Sequence, residues 1–452
     1  MSVAVATVGD ILSVEQAREG VLGTIDRTVE VEVIATADAL GRVLAGPVRA
    51  ATALPPWDNS AMDGYAIRSE DVATATEDNP VRLDVVGEAR AGSQPDAPVS
   101  PGRALRIATG APLPWGADAV VPVELTTPLG PDDEPSGPRG RDATGPLPAA
   151  CLVHQRIPIG GSIRRAGSDI AADTILLDGG SSLTAAGIAL SAGAGVPRVA
   201  VHRRVRVAVL ATGDEVRGPD EPMGPAGIPD ANGPGLRALV TASGADAIDL
   251  GIARDLLDDV SRRLEAGISA GADVIIVSGG VSVGPYDVVK TAFDALGQID
   301  LWRVAVQPGK PFTFGTAPRP GGRGSPVLLF GLPGNPVSSF VTFELFVRPA
   351  VRRLAGQRSL LRPVDRGVLR ERVSKSAGRR AFIRVVADRD PAGAPVRDSK
   401  GRVSVRLAGG QAGQGSHVLS ALAVADALAV VPEVAESVRA GTAVDLWWLD
   451  RD

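Results

Sequence analysis

The sequence predicts a multidomain α/β plus β protein, and three observations carry that expectation. At roughly 150 residues per domain, 452 residues make about three domains, each large enough for a true hydrophobic core. Between residues 205 and 354, apolar runs alternate with helical stretches, the pattern of a parallel, doubly wound sheet with helices on both faces. Elsewhere the runs are short, alternating and broken by glycine and proline, as β domains require.

Composition removes several function classes. Cys151 is the only cysteine, which excludes an intramolecular disulfide and a cysteine-rich zinc site and fits a reducing compartment. The histidines (His154, His202, His417) are scattered, so a metal would need hard oxygen ligands. The opening MSVAVATVGDILSVEQAREG has neither the basic patch nor the cleavage site of a signal peptide, and no apolar run reaches the ~20 residues that span a bilayer. A cytoplasmic protein with no membrane association is expected. A net charge of -5, with 47 basic residues spread along the chain, argues against a nucleic-acid footprint.

The elements follow in order. Ser13 with Gln16 ahead of VEQAREGVLG reads as a capping box opening the first helix. Residues 28–50 are strand-rich, and 84–122 are short strands broken by turns. Residues 128–148 (PLGPDDEPSGPRGRDATGPLP) are nearly free of apolar side chains and are expected to be disordered or loosely held. Five strands are expected at VRVAVLA (205–211), DAIDLG (246–251), DVIIVS (273–278), WRVAV (302–306) and PVLLFG (326–331). Helices are expected near 235–243, 255–269, 287–296 and 336–353, and a final β domain after Pro363.

Ligands of open α/β sheets bind outside the carboxyl ends of the strands, so the loops there should carry the chemistry. These are ATGDE (211–215), ARD (253–255), SGGVSVGPYD (278–287), QPGKP (307–311) and GLPGNP (331–336). Ser278, Gly279, Gly280, Ser282 and Gly284, with Pro333, Gly334, Asn335 and Pro336, are candidates for a phosphate cradle, since glycines let backbone amides turn toward an anion. They could equally be plain turns. Asp214, Glu215, Asp255 and Asp287 would crowd one rim, and two charges 4 Å apart repel by about 4 kcal/mol at an effective dielectric of 20, a cost that magnesium would relieve. Asp255 and Asp287 could instead simply start the helices after them. Lys310, between Gly309 and Pro311, could meet a phosphate or oxyanion or remain a solvated lysine. DNSAMDGYA (58–66), RIATGAPLP (106–114) and IRRAGSDI (163–170) add Asp63, Thr109, Arg164 and Asp169 among turn signals.

In order and spacing, these motifs with GIARD (251–255) make the chain similar to the molybdopterin molybdenumtransferases, the MoeA and gephyrin E-domain family. The resemblance runs from about Asp10 to Gly356. It implies an α/β domain (MogA-like) from residues 1–23 and 202–353 and a small linking domain from 24–50 and 174–201. It further implies an inserted β-rich domain at 51–173 and a C-terminal β-barrel-like domain at 354–452. It implies a homodimer whose cleft lies between the α/β domain of one subunit and the inserted domain of the other. The implied reaction inserts molybdate into adenylylated molybdopterin with loss of AMP, assisted by Mg2+. Asp63, Thr109, Glu215, Asp255 and Asp287 would act in catalysis, and Glu215, Asp255 and Asp287 would hold the metal. Arg164, Asp169, Thr212, Gly213, Asp214, the two glycine loops and Lys310 would bind ligand. A molybdopterin adenylyltransferase is the implied partner. Gln307, where the family often has Lys or Arg, the Pro285-Tyr286 pair and the 128–148 insertion depart from the pattern. Two other roles fit the same fold: the preceding adenylylation step, and a gephyrin-like dimeric scaffold.

Overall fold

The computed structural model describes residues 11–95, 97–140, 145–280, 288–322, 324–410 and 413–449. A seven-stranded sheet forms its centre, in the order Ile11–Leu12, Gln298–Val304, Pro311–Ala317, Val327–Leu332, Val274–Ser278, Arg206–Thr212 and Asp246–Ala253. All strands run one way except Pro311–Ala317, which is antiparallel to both neighbours. The expectation of a wholly parallel sheet is corrected here. Only residues 305–310 separate this strand from the one before it, too few for the crossover that a parallel return needs, so the chain comes straight back. The expected strand at 302–306 is also split. Its first part ends at Val304, and Val306–Gln307 pairs instead with Arg380 and Ala381 of the C-terminal sheet.

Alternation along the central strands divides the core between two faces. Val207, Val209, Val274, Ile276 and Phe330 pack with the helices Val14–Gly23 and Asn232–Ala242 and the helical run from Pro336 to Leu354. Ala208, Leu210, Ile275, Val277 and Leu329 pack on the other face with Leu257–Ser269 and Val288–Leu296. The first helix begins with the expected capping box: Gln16 N donates to Ser13 Oγ at 3.1 Å, and Ser13 N donates to Gln16 Oε1 at 2.9 Å. The helical run from Pro336 widens into a π turn at Phe343–Val347, just before Pro349, which has no N–H to donate. At the amino end of the sheet, buried Asp273 accepts both Arg203 Nη1 (2.7 Å) and Nη2 (2.9 Å), Arg319 Nη2 (3.1 Å) and Arg206 N (2.9 Å).

Two antiparallel pairs, Val31–Ala35 with Arg198–His202 and Val48–Arg49 with Ile175–Leu177, bring the flanks of the intervening segment together. That segment holds a six-stranded sheet, ordered Ala119–Pro122, Gly64–Ile67, Arg103–Ile107, Val81–Ala89, Ala150–Val153, Thr126–Leu129. Residues 128–148 were expected to be loose, yet the described part is tied down. Pro128 and Leu129 pair with Cys151 and Ala150, Arg82 Nε reaches Asp133 Oδ1 (2.8 Å), Arg139 forks onto Glu77 (2.6 and 2.7 Å), and Arg106 Nη1 donates to Gly145 O (2.7 Å). Charged side chains here do the fixing that apolar ones do elsewhere; residues 141–144 lie outside the described set. In the C-terminal region Arg380–Ala387, Val403–Leu407, Val364–Leu369, Ala443–Trp448 and Ala427–Val431 pair in sequence, and the last returns to the first. The expected β-barrel is closed, which removes exposed sheet edges.

Candidate active site

Four strands of the central sheet lie side by side with their carboxyl ends together, so the loops after them share one rim. The rim encloses a cavity of about 580 Å³. Thr212, Gly213 and Glu215 line it from the first expected loop, Asp255 from the second, Ser278, Gly279 and Gly280 from the third, and Pro333 to Pro336 from the fifth. Ser282, Gly284 and Asp287 lie outside the described residues.

The glycines are set by close approach. A Cβ on Gly279 (φ 96°) would fall 2.6 Å from Thr212 O, and one on Gly280 (φ 64°) would fall 2.5 Å from Val289 Cγ2. Their amides are not equivalent. Gly213 N donates to Ala253 O (3.2 Å) and Gly279 N to Leu332 O (3.1 Å), so these two hold loop to loop. Gly280, Gly334 and Asn335 have N–H groups with no hydrogen bond among the described residues, which makes them the amides able to meet an anion. Ser278 was expected to bind ligand, but its buried hydroxyl donates to Pro333 O (3.3 Å) and bonds to Ser339 Oγ (3.2 Å); it props the GLPGNP loop.

The acidic side of the cavity is strained electrostatically. Burial holds the Asp255 carboxyl above its ordinary range, and Asp214 and Glu215 add to the shift. Asp214 does not line the cavity; its Oδ1 accepts the Asp255 N–H at 3.3 Å. Among the described residues no three acidic, histidine or cysteine side chains come together around one metal position. Of the expected metal set, Glu215 and Asp255 face the cavity and Asp287 lies outside the described residues.

Lys310 is not on this rim, contrary to expectation. The chain turns at Gln307–Lys310 toward the barrel because Val306–Gln307 joins the barrel strand, so only Pro311 lines the first cavity. Lys310 instead lines an adjoining cavity of about 370 Å³ between the central sheet's loops and the barrel, together with Arg372, Arg379 and Arg384. None of the lining residues is acidic. Arg384 is fully buried, its Nη2 donates to Gly415 O (3.0 Å), and its Nε has no partner among the described residues. Burial pushes its guanidinium down to about 10. A buried cation with an unpaired donor, lining one cavity with three more cations, has the chemistry to attract an anion. The two cavities adjoin closely: Ser338 lines both, Lys310 and Pro311 divide between them, and so do Ser416 and His417.

Of Asp63, Thr109, Arg164 and Asp169, the first two meet each other, and none of the four meets its own chain's rim. Asp63 Oδ1 accepts Thr109 N at 2.6 Å, Arg164 pairs with Asn59 in a short antiparallel ladder, and Asp169 N donates to Leu54 O (3.1 Å). None of the four lines either cavity.

Sequence reasoning missed Arg384, Ser338, Asn232 and His417. Asn232 lines the first cavity and donates Nδ2 to Gly334 O at 2.6 Å, fixing the GLPGNP turn. Arg384 had a legible signal. In RAFIRVVA, Ala381, Ile383 and Val385 point into the barrel, so Arg380, Phe382 and Arg384 share the outer face, where a charge beside a buried Phe is conspicuous.

Three family models match the chain: the MoeA N-terminal region (domains I and II) over residues 12–195, a probable molybdopterin binding domain over 208–353, and the MoeA C-terminal region (domain IV) over 366–449. The chain is 36% identical over 438 residues to molybdopterin molybdenumtransferase 2 of Mycobacterium tuberculosis, covering 96% of this chain and 98% of that one. It is 41% identical over 333 residues to the molybdopterin molybdenumtransferase of a Nostoc species, covering 74% of this chain and 71% of that one. The crystal structure of the molybdopterin biosynthesis MoeA protein from Pyrococcus horikosii superposes with a TM-score of 0.76 at 28% identity, covering 97% of this chain and 99% of that one.

Proposed function

The chain belongs to the MoeA family of molybdopterin molybdenumtransferases, enzymes of molybdenum cofactor biosynthesis, and from that premise we propose that it inserts molybdate into adenylylated molybdopterin with release of AMP. The observation that carries the reading is the pairing of two cavities. One is lined by unbonded loop amides and carboxylates; the other has only cations among its charged lining residues, including buried Arg384, whose Nε has no partner among the described residues. An organic phosphate suits the first and a tetrahedral oxyanion suits the second. Ser338 stands where they meet.

In this reading the free amides of Gly280, Gly334 and Asn335 hold phosphate oxygens of the substrate, and Asn232 and Ser278 keep the GLPGNP loop in place to do so. Arg384 and Lys310 hold molybdate by charge, with Arg372 and Arg379 raising the local potential. Held beside the anhydride, a molybdate oxygen or a water attacks phosphorus and AMP leaves with the bonding electron pair, while the two dithiolene thiols bind molybdenum and one molybdate oxygen departs with their protons as water. The side chains orient the reactants and no covalent enzyme intermediate forms. Glu215 and Asp255 fit magnesium, which binds through one or two carboxylates plus substrate phosphates. Burial, with the charges of Asp214 and Glu215, raises the Asp255 carboxyl, and a cation there would offset that cost of holding it ionised. Magnesium supplies neutralisation of the charge that grows on the splitting anhydride.

The placement of Asp63 and Thr109 outside their own chain's cavities supports a homodimer in which they serve the partner's site. No helix among the described residues is long and apolar enough to cross a membrane, and the lone buried thiol of Cys151 fits a cytoplasmic enzyme supplied by a molybdopterin adenylyltransferase. Insertion brings a free tetrahedral oxyanion to the cationic second cavity, whereas adenylylation would bring the polyphosphate of ATP, so molybdate binding separates the two readings. Isothermal titration of the purified protein with molybdate tests this: binding that Arg384→Met weakens about 10- to 100-fold supports it, and no binding by the wild type overturns it.

A further inference from the structure

We propose that His417 contacts the substrate in the first cavity, donating a hydrogen bond to an anionic phosphate oxygen at the end that faces the oxyanion cavity; this rests on the two-cavity assignment above. The loop that carries it is fixed on both sides. Gln414 Nε2 donates to Arg384 O (3.0 Å) and Ala408 O (2.7 Å), and Val337 N donates to Ser416 O (3.2 Å), which stitches the loop to the helix after GLPGNP. Beyond His417, buried Val418 packs with Ala408 and Ala421, and Leu419 N donates to His417 O (3.0 Å).

Within this hydrogen-bonded loop the imidazole itself is unengaged among the described residues. His154 Nε2 lies 2.9 Å from Thr127 Oγ1 and His202 Nδ1 lies 3.1 Å from Val29 O, so the other two histidines have protein partners. Among the described residues the His417 ring has no hydrogen bond and no carboxylate partner, and it lines the cavity. Its orientation is set by Gly415, whose absent Cβ would fall 2.7 Å from Cε1 and 3.1 Å from Nδ1. A ring held against a glycine, with its nitrogens unspent, has at least one N–H to give in either protonation state. Among the described residues it is also the one point at which the C-terminal region reaches into the cavity built by the sheet's loops.

The test is titration of the full-length dimer with AMP and, separately, with molybdate, for the wild type, His417→Ala and His417→Gln, beside kcat and KM for AMP release. His417→Ala should weaken AMP binding about tenfold, the loss of one hydrogen bond to a charged group, with molybdate affinity unchanged within about twofold. His417→Gln, which keeps a donor, should recover most of the loss. Unchanged AMP affinity in His417→Ala would overturn the assignment. Equal loss of both ligands would do the same, because it would mean the loop had merely come apart. A wild type that bound neither probe would remove the two-cavity reading and this one with it.

Discussion

Arg384 and Gln414 hold each other by an exchange of hydrogen bonds: Arg384 N donates to Gln414 Oε1 at 2.9 Å, and Gln414 Nε2 donates to Arg384 O at 3.0 Å. The exchange pins the barrel strand to the loop that separates the two cavities, and it leaves the guanidinium buried with Nε unpaired.

The first expectation follows from that burial. Arg384 is pushed down to about 10, below its ordinary value, so for this cation any stabilisation exists only above the unfolded value and is lost as pH falls through about 10. At neutral pH the charged side chain is therefore a cost that a bound oxyanion offsets. Arg384→Met should melt no lower than the wild type in the absence of ligand, yet bind molybdate about 10- to 100-fold more weakly. Calorimetry and thermal melts check both halves.

Asp255 carries the opposite sign of charge and a similar consequence. Its carboxyl is raised by burial and by Asp214 and Glu215, so the stability it contributes is present below the ordinary carboxylate range and is lost as pH rises through its folded value. Ionised at neutral pH, it destabilises the ligand-free protein. Asp255→Asn should melt higher than the wild type and lose the extra melting temperature that magnesium gives the wild type. A variant that melts lower, or that responds to magnesium as the wild type does, contradicts the proposed role.

Asp63 accepts the Thr109 N–H at 2.6 Å, and neither residue lines the two cavities of its own chain. Asp63→Asn should stay folded and lose most activity. Mixed with the equally inactive Asp255→Asn, it should restore roughly a quarter of wild-type turnover, since random mixing of a two-fold dimer leaves half the molecules with one intact cleft. No recovery on mixing would place the two residues in one subunit's site.

At the far end of the sheet, Asp273 is buried and holds Arg203, Arg319 and the Arg206 N–H. Asp273→Ala should cost about 3–5 kcal/mol of stability, as expected when one partner of a buried ion network is removed. Denaturant unfolding followed by circular dichroism measures it, with kcat of the folded fraction unaffected.

Much of this was legible in the sequence, and the exceptions share a cause. Apolar runs marked the strands at 206–212, 274–278 and 327–332, and Ser13 with Gln16 marked the first cap, because each signal is local. Pro311–Ala317 went unread as a strand because its direction depends on a six-residue return, which no periodicity records. Lys310 was set on the wrong cavity because Val306–Gln307 leaves the central sheet to pair with Arg380 and Ala381, a long-range choice. The glycine loops and Asp255 could be assigned to the rim from strand ends alone. Arg384, Ser338 and His417 could not, since they meet the site only when the barrel docks against the sheet.

The most direct measurement is AMP release from adenylylated molybdopterin by the purified protein with magnesium, with and without molybdate, coupled to reconstitution of an apo-molybdoenzyme. Molybdate-dependent AMP release that yields active cofactor, lost in Arg384→Met and Asp255→Asn, is the predicted result. AMP release independent of molybdate, or substrate binding without turnover, would contradict it.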